Sequence, residues 1–366
     1  MGIEHFEHFF GCIEDKRRGN RKVHPLINIL FICVTGVMCG MRGFVEIAEF
    51  AQARREHLSK YLDLRHGTPS HDTLGNVLAM IAPEHFGECF ERWSDSLRDL
   101  VDSDIVAIDG KSIRASFDKP ACKLPIHLMS AWSTANSVCL AQCRCDVKGN
   151  EIVALEELLT KLVLDKCVVT ADAMHCHKRT TKAITDAGAD YVLGLKGNEV
   201  RMHARCVEAF AGDAEPVRLT TKDEAHGRYE TRIAEFVAVD ASAEAAFAGW
   251  SNVGGFVRIT TSATRNGESR QEVRYYLTSL TDVHQAARAV RYHWQIENNL
   301  HWVLDNVFCE DKSRARQGNA GENLAYIRKI VLNVLTKHKQ PRRSMRTLMF
   351  KALMDPHYLD HLLRSF

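Results

Sequence analysis

The sequence IVAIDGKS at residues 105–112 and the sequence VVTADAMH at residues 168–175 share one pattern, an apolar run that ends in an aspartate. Each run predicts a buried strand. Asp109 and Asp172 should therefore lie at the carboxyl ends of two strands, which is the edge where open α/β sheets bind ligands. For either residue alone, an acid that caps a following helix or turn would give the same local pattern.

The segments around these two runs alternate between strand and helix patterns. Further strands are predicted at His127–Trp132, Ser137–Arg144, Cys167–Thr170 and Tyr191–Leu195, and helices at Ile152–Val163 and His177–Ala187. With the strand before Asp109, the order is β-β-β-α-β-α-β. Alternation of this kind predicts a mixed sheet with helices packed on its faces.

The flanking segments differ in character. Residues 1–100 follow a helical pattern and include an apolar helix at residues 26–40, which is too short to span a bilayer. Residues 101–340 would form the main domain, with a β-rich insertion at residues 199–281 and a helical tail at residues 341–366. The predicted elements are strands at Ile233–Val239, Phe256–Thr261 and Glu272–Leu277, a turn at Arg265-Asn266-Gly267, and helices from Val283 to about Val307 and from Asn323 to about Lys337.

The composition is that of an ordinary globular protein. The 366 residues include 48 Lys plus Arg and 46 Asp plus Glu, a formal net charge of +2, with 45% hydrophobic and 26% charged residues. These values exclude a disordered, collagen-like or histone-like chain. The 12 cysteines include no C-x-x-C pair, and no segment is long and apolar enough to span a membrane. We therefore expect a cytoplasmic protein with no membrane segment.

A third acid, Glu297, lies within a long predicted helix. His293 and His301 stand four positions before and after it, and apolar residues occupy other positions on the same helical face. This spacing predicts that Glu297 faces inward, where a carboxylate needs a cation, a metal or a raised pKa. An ion pair with His293 or His301 would satisfy it. Alternatively, Glu297 and the two strand-end aspartates could hold two divalent cations, an arrangement suited to phosphoryl transfer.

Three segments together resemble the acidic motifs of DDE transposases from bacterial insertion sequences. They are residues 107–112 around Asp109, residues 170–175 around Asp172 and residues 293–298 around Glu297. The continuation is similar to the branch that includes the H-repeat-associated proteins, and it comprises His301-Trp-Val-Leu-Asp305, Glu310-Asp311, Arg314, Arg316 and Asn323-Leu-Ala325. Residues 67–74 resemble the helical region that precedes the catalytic domain in that branch.

The resemblance implies a fold, a chemistry and partners. The fold would be α/β, a ribonuclease-H-like mixed sheet with flanking helices, a β-rich insertion and an all-helical N-terminal module. Asp109, Asp172 and Glu297 would be the catalytic, metal-binding triad, with Mg²⁺ or Mn²⁺ as cofactor and two ions expected. The partner would be double-stranded DNA, both transposon ends and target. A homodimer would form the synaptic complex, and the N-terminal module could contact the DNA ends.

The helix of Glu297 departs from the wider family at three positions. That family carries Tyr, Arg and Lys at seven before, four before and seven after the glutamate, whereas this chain has Val290, His293 and Leu304. His293 can partly replace an arginine, with a charge that depends on pH. The missing lysine leaves its contact with the transposon-end phosphate unassigned.

Polar residues near the triad are candidates for DNA contacts. Lys111 follows Asp109 closely, and Lys196 and Asn198 end a predicted strand at the same edge of the sheet, although a plain glycine turn would also explain the latter pair. The other candidates near the triad are His175, His177, Lys178, His293, Trp294 and His301. The run His175-Cys-His177 could also suggest zinc, but consecutive residues converge poorly on one ion. A solvated helix start is the remaining alternative for that run.

A basic strip lies between residues 312 and 346. It contains ten Lys or Arg and one acid, Glu322, so its net charge is +9. Such a strip is typical of a surface that binds a phosphate backbone, although a solvated helix face would look the same. The candidate DNA contacts here are Arg314, Arg316, Arg328 and Lys329, of which Arg328 and Lys329 are predicted to project outward from the last long helix.

Three functions remain open at this point. The first is a transposase that cuts phosphodiester bonds at insertion-sequence ends and joins the freed 3′ ends to target DNA. The second is a domesticated DNA-binding protein without catalysis, and the third is a metal-dependent nuclease without strand transfer. The presence of all three acids favours an active enzyme.

Overall fold

The structure, a computed structural model, describes residues 2–19, 22–117, 124–145, 151–212, 215–225, 228–240, 245–265 and 268–366. Within these ranges, nine strands form one mixed sheet. They are β1 (Ile105–Ile113), β2 (Ile126–Ser133), β3 (Val138–Cys145), β4 (Val168–Ala171), β5 (Asp190–Leu195), β6 (Val217–Ala225), β7 (Arg228–Ala238), β8 (Gly255–Arg265) and β9 (Glu268–Thr278). Their order across the sheet is β3-β2-β1-β4-β5-β9-β8-β7-β6.

Helices surround this sheet. They are α1 (Gly2–Phe10), α2 (Leu26–Met38), α3 (Phe44–Ala53), α4 (Arg55–Leu58), α5 (His71–Met80), α6 (Pro83–Ser96), α7 (Glu151–Thr160), α8 (Lys178–Asp186), α9 (Val200–Ala211), α10 (Val283–Gln295), α11 (Trp302–Asn306), α12 (Ala320–Lys337), α13 (Met345–Met354) and α14 (Pro356–Leu363). No helix of the described chain is long and apolar enough to cross a membrane.

The first five strands confirm the predicted β-β-β-α-β-α-β order. Strands β1, β2 and β3 form an antiparallel meander, while β4 and β5 run parallel to β1, with α7 and α8 in the connections. These five strands, β3-β2-β1-β4-β5, form the ribonuclease-H-like core. One detail differs from expectation: β1 continues to Ile113, so Asp109 lies inside a strand, because β2 pairs with the whole of β1.

The β-rich insertion continues the same sheet. Strand β9 pairs antiparallel with β5, with Val192 opposite Thr278, and β8, β7 and β6 follow in antiparallel succession. The insertion begins with a helix, α9, which the sequence pattern did not predict. The predicted turn falls partly on residues 266 and 267, which lie outside the described residues, although the flanking pair Arg265 and Glu268 ends a regular hairpin ladder.

The N-terminal helices share one apolar core with the C-terminal ones. Helix α2 is almost wholly buried, as predicted, and α12 passes between the N-terminal helices and strand β3. Helix α5 begins at the predicted place, because the hydroxyl of Ser70 accepts a hydrogen bond from the backbone N–H of Thr73. The final residue, Phe366, packs edge-on against Phe6 of α1. The helices of residues 341–366 therefore stabilise the N-terminal core.

Candidate active site

Asp109 and Asp172 occupy equivalent places on neighbouring parallel strands. The parallel register pairs Ile108 with Ala171, so each aspartate is the next residue beyond the shared ladder. The backbone N–H of Gly110 donates to the Asp109 carboxylate at 2.8 Å. A Cβ atom on Gly110 would lie 2.7 Å from Nε2 of His127 and 2.9 Å from Sδ of Met129, so a larger residue here would displace these two side chains. The two acids therefore meet at one edge of the sheet, as predicted.

The helix that carries Glu297 changes its winding at that residue. Helix α10 ends at Gln295, and Ile296–His301 forms a π-helical segment before α11 continues. Each π turn holds an extra residue and rotates the following side chains, which is why such segments often occur at functional sites. The Glu297 side chain is 51% exposed. The prediction that it faces inward was wrong, because the 3.6-residue repeat on which it rested does not apply to this segment.

Glu297, Asp109 and His301 converge on one point. Their potential ligand atoms lie within 4.8 Å of one another, and they are the one such group of three His, Cys, Asp or Glu residues within the described ranges. The Nδ1 atom of His301 lies 3.3 Å from Oδ2 of Asp109 and 3.8 Å from Oε2 of Glu297. The ion pair with His301 that spacing allowed for Glu297 is therefore present.

His301 and Asp109 shift each other's titration. Burial opposes the charge of both groups, but their hydrogen bond and mutual attraction outweigh it, so the pKa of Asp109 is lowered and the pKa of His301 is raised. At neutral pH the Asp109 carboxylate is therefore ionised. Sequence spacing identified His301 as a neighbour of Glu297, but not as a neighbour of Asp109, which is almost two hundred residues away in the chain.

Asp172 stands at the open side of the same edge. Its side chain is 69% exposed, and Nε2 of His293 lies 3.6 Å from its Oδ1. Hydrogen bonding to His293 lowers the pKa of Asp172 against the effect of burial, and the charges of His293 and Lys196 lower it further. His293 is itself fixed, because its Nδ1 lies 2.9 Å from the hydroxyl of Thr170. Both aspartates are therefore held in the charged form.

The residues after Asp172 do not form a zinc cluster in the described structure. His175 is buried, and burial lowers its pKa to about 4. The carboxylate of Glu151, at the start of α7, lies 3.6 Å from His175 and 3.2 Å from His127. His175 is therefore a buried neutral side chain beneath the site rather than an exposed phosphate contact, and nothing in the sequence pattern marked Glu151 as its neighbour.

The other predicted contacts at this edge divide into two groups. Lys178, Lys196 and Trp294 are exposed. Lys196 is close enough to Asp172 to lower the pKa of that carboxyl, whereas the guanidinium of Arg274 lies 4.9 Å from the centroid of the Trp294 ring. His177 instead pairs with Glu199 at 2.9 Å, and Asn198 donates from Nδ2 to the backbone oxygen of Ala173 at 2.7 Å, which fixes the loop under Asp172. The first group is available to a ligand, and the second shapes the loops around it.

Lys111 is not free to contact a phosphate. Its Nζ atom lies 2.7 Å from Asp305, 3.2 Å from Glu310 and 3.2 Å from Asp311. The side chain is 11% exposed, and these carboxylates raise its pKa although burial acts in the opposite direction. Lys111 therefore ties strand β1, two residues beyond Asp109, to the segment that follows the Glu297 helix.

The prediction that Arg328 and Lys329 project outward to contact DNA was wrong. Both side chains are 1% exposed. Arg328 lies 3.6 Å from the buried carboxylate of Glu310, and Lys329 donates to the side-chain oxygen of Gln142 at 2.5 Å. Helix α12 is buried on nearly all sides, so these cations balance Glu310 inside the protein. Arg314 is exposed, and Arg316 donates to the backbone oxygen of Ala115.

Comparison with known proteins identifies the family of this chain. A family model described as Transposase DDE domain matches residues 101–334, and one described as DDE_Tnp_1-associated matches residues 7–94. "Putative transposase YncI" of Escherichia coli O157:H7 is 35% identical over 379 aligned residues, covering 100% of this chain and 96% of that protein. "H repeat-associated putative transposase YhhI" of Escherichia coli strain K12 is 34% identical, covering 99% and 98%.

The matched model covers the sheet, both strand-end aspartates and the Glu297 helix, and the two relatives are similar along essentially their whole length. The chain therefore belongs to the DDE transposase family, in the branch of the H-repeat-associated transposases.

Proposed function

We propose that this protein is an active DNA transposase, which cuts phosphodiester bonds at the ends of an insertion sequence and joins the freed 3′ ends to target DNA. The observation that carries the proposal is the convergence of Asp109, Glu297 and His301 within 4.8 Å, with Asp172 on the neighbouring strand. Phosphoryl transfer needs such a cluster of anionic ligands at an accessible edge of the fold.

The donor set fits divalent cations. Asp109 and Glu297, with Asp172 on the neighbouring strand, supply hard carboxylate oxygens, which suit Mg²⁺ and Mn²⁺. His301 can add an imidazole nitrogen once a bound cation displaces its proton. Two ions bound here would polarise the scissile phosphate, lower the pKa of the attacking hydroxyl and stabilise the leaving oxygen. The imidazole favours Mn²⁺ over Mg²⁺, because Mg²⁺ is bound almost entirely through oxygen.

The surrounding residues keep the two aspartates in the charged form that metal binding needs. His301 and the N–H of Gly110 hold Asp109 ionised, and His293 does the same for Asp172. A carboxylate whose pKa is lowered stays charged to a lower pH than usual, so both aspartates are anionic throughout the neutral range. Lys196 is exposed and close enough to Asp172 to act on its charge, so it can contact a phosphate of the DNA at that edge, and the exposed Lys178 is a further candidate contact.

The partners follow from the chemistry. The substrate is double-stranded DNA, first as a transposon end and then as target, and a homodimer pairs the two ends of the element. The site of action is the bacterial cytoplasm, where the DNA lies. A domesticated DNA-binding protein would have no need to keep Asp109 and Glu297 together with Asp172 on the neighbouring strand, so the inactive alternative is disfavoured. A pre-cut transposon end incubated with a target plasmid separates strand transfer from simple nuclease activity, which would yield no joined product.

The metal requirement is the direct test of the proposal. Cleavage of a duplex that carries the DNA bordering the gene should require Mg²⁺ or Mn²⁺, with Mn²⁺ effective at the lower concentration. Ca²⁺ should support DNA binding without cleavage, because it tolerates loose coordination that does not activate the nucleophile. Titration of each ion against cut product measures this. Full activity in excess chelator would contradict the proposed mechanism.

A second prediction concerns Lys111 as a positioning residue. Lys111→Met should reduce cleavage by about tenfold to a hundredfold and raise the Mn²⁺ concentration needed for half-maximal activity, because Asp109 and the Glu297 helix lose their shared anchor. Lys111→Arg keeps the charge and should restore most of the activity. Loss of activity in both variants at an unchanged Mn²⁺ requirement would show that Lys111 does not act through the position of the acids.

A further inference from the structure

A cleft lies between the N-terminal helices and the segment that follows the catalytic helix. It has a volume of about 580 Å³, and its walls are the first turns of α3 and α5 on one side and residues 309–317 on the other. Its polar lining includes Arg42, His71, Asn76, Lys312, Arg314 and Arg316. We refer to this feature as the basic cleft. It is separate from the acidic site, and no residue of the triad lines it.

The cations of the basic cleft are available to a ligand. Within the described part of the chain, the head groups of Arg42, Lys312 and Arg314 are exposed and form no ion pair. Two carboxylates also line the cleft, but Glu46 accepts a hydrogen bond from the backbone of Arg42, and Asp72 lies beside His71. The cleft therefore keeps an excess of positive charge. Arg328 and Lys329, by contrast, are buried and contact partners inside the protein, Glu310 and Gln142.

Two contacts between residues 311–316 and the segment just after β1 fix the position of the basic cleft relative to the acids. Arg316 donates to the backbone oxygen of Ala115, directly after β1, and Arg114 pairs with Asp311 at 3.1 Å. Asp109 precedes the end of β1 at Ile113 by four residues, about 13 Å of extended strand. That length corresponds to roughly four nucleotides along one DNA strand.

Two helix starts add to the positive potential of these cations. Helices α3 and α5, each of ten residues, both begin at the basic cleft, so their dipoles face it. At α5 the hydroxyl of Ser70 already accepts the N–H of Thr73. The α3 start has glycine as its N-cap and receives no side-chain cap. Such a surface, four cations combined with two helix starts, is suited to the oxygen atoms of phosphodiesters.

We propose that the basic cleft binds the phosphodiester backbone of duplex DNA about four to six nucleotides from the bond that is cut. The proposal rests on the transposase function proposed above, and it gives the N-terminal module a part in holding DNA. The ligand is the backbone itself, so binding at this cleft is independent of base sequence and depends on salt through counterion release.

The test uses two full-length variants with equal loss of charge. In the first, Arg42, Lys312 and Arg314 are replaced by Gln. In the matched control, the exposed cations Lys337, Lys339 and Arg343 of the same basic strip are replaced by Gln. They lie at or beyond the far end of α12, a helix about 27 Å long whose first turn lines the cleft.

Binding of a short duplex of unrelated sequence is measured by fluorescence anisotropy over a range of salt concentrations in Ca²⁺. The cleft variant should bind at least about tenfold more weakly at low salt, and its slope of log affinity against log salt should be flatter by about 2 to 3 units, since each lost phosphate contact contributes roughly 0.9. The control should keep the wild-type slope. An unchanged slope in the cleft variant, with unfolding temperature preserved, would overturn the proposal, as would an equal change in both variants.

A second measurement locates the contact and distinguishes the two sides of the cut. Neutral methylphosphonates are placed four to six nucleotides from the cut, either inside the element or in the flanking DNA, in duplexes built from the DNA bordering the gene. Wild-type protein should lose affinity for one of these duplexes, and the cleft variant should not distinguish that duplex from unmodified DNA. Equal losses in wild type and variant would overturn the proposal. A cleft effect on binding in a protein that never cuts DNA would refute the proposed activity and leave the cleft assignment standing.

Discussion

Asp109→Asn is expected to reduce DNA cleavage roughly a thousandfold or more, which corresponds to a loss of about 4 kcal/mol of transition-state stabilisation. The substitution keeps the volume of the side chain and an oxygen that can accept the N–H of Gly110. It removes the negative charge that, with Glu297, faces His301. His301 can release its proton when that charge is lost, so folding should be largely unaffected.

Cleavage is measured on a duplex from the border of the gene in Mn²⁺, with DNA affinity measured separately in Ca²⁺. Asp172→Asn and Glu297→Gln should behave in the same way, since each removes a ligand charge and little volume. Asp102→Asn is the matched control, because the Asp102 side chain is 82% exposed and precedes the start of β1, seven residues before Asp109. Turnover within tenfold of wild type for a triad variant would exclude that residue from the site.

Glu310→Ala is expected to lower the free energy of unfolding by about 3–5 kcal/mol, the cost of removing one partner of a buried ion pair. The Glu310 side chain is 1% exposed and lies between Lys111, at 3.2 Å, and Arg328, at 3.6 Å. The charge of Lys329 also acts on it. Among the residues that the structure describes, Glu310 is the carboxylate that acts on both Arg328 and Lys329, so the variant leaves these two buried cations without it.

Urea unfolding at neutral pH measures this change. Asp102→Ala removes a carboxylate from the exposed surface and should change stability by less than about 0.5 kcal/mol. Glu310→Gln should fall between the two, because it keeps the shape and some hydrogen bonds but not the charge. A Glu310→Ala protein as stable as the Asp102→Ala control would show that Arg328 and Lys329 are not balanced by this carboxylate.

The sequence by itself determined the sheet and the main positions of the chemistry. Short β-rich runs, among them Ile105–Ile108, Cys167–Thr170 and Tyr191–Leu195, predicted β1 to β5, because local composition largely decides whether a short segment can form a buried strand. An acid directly after each of two apolar runs placed Asp109 and Asp172 together, since the parallel ladder of β1 and β4 ends at Ile108 and Ala171. The three acidic motifs, together with the segments that follow Glu297, then indicated the family without any structure, and the family model confirms it.

Tertiary structure alone decided how the charged side chains are used. In the sequence, Lys111 stands near Asp109, and Arg328 and Lys329 belong to a basic strip. In the structure, all three side chains contact partners inside the protein. The balancing carboxylate, Glu310, is about two hundred residues from Lys111 in the chain. Periodicity reports which face of an element is apolar, but it cannot report whether a distant segment brings a partner that makes burial of a charge favourable.

The π-helical winding around Glu297 could likewise not be predicted from the local sequence. Regular helical spacing predicted that Glu297 faces the core, whereas the π segment at Ile296–His301 turns its carboxylate to the open edge and buries His301 beside Asp109. The π winding allows two contacts at once: Leu300 packs in the apolar core, and His301 pairs with Asp109 of β1. Local sequence specified a helix here, and only the contacts with the sheet fixed how it is wound.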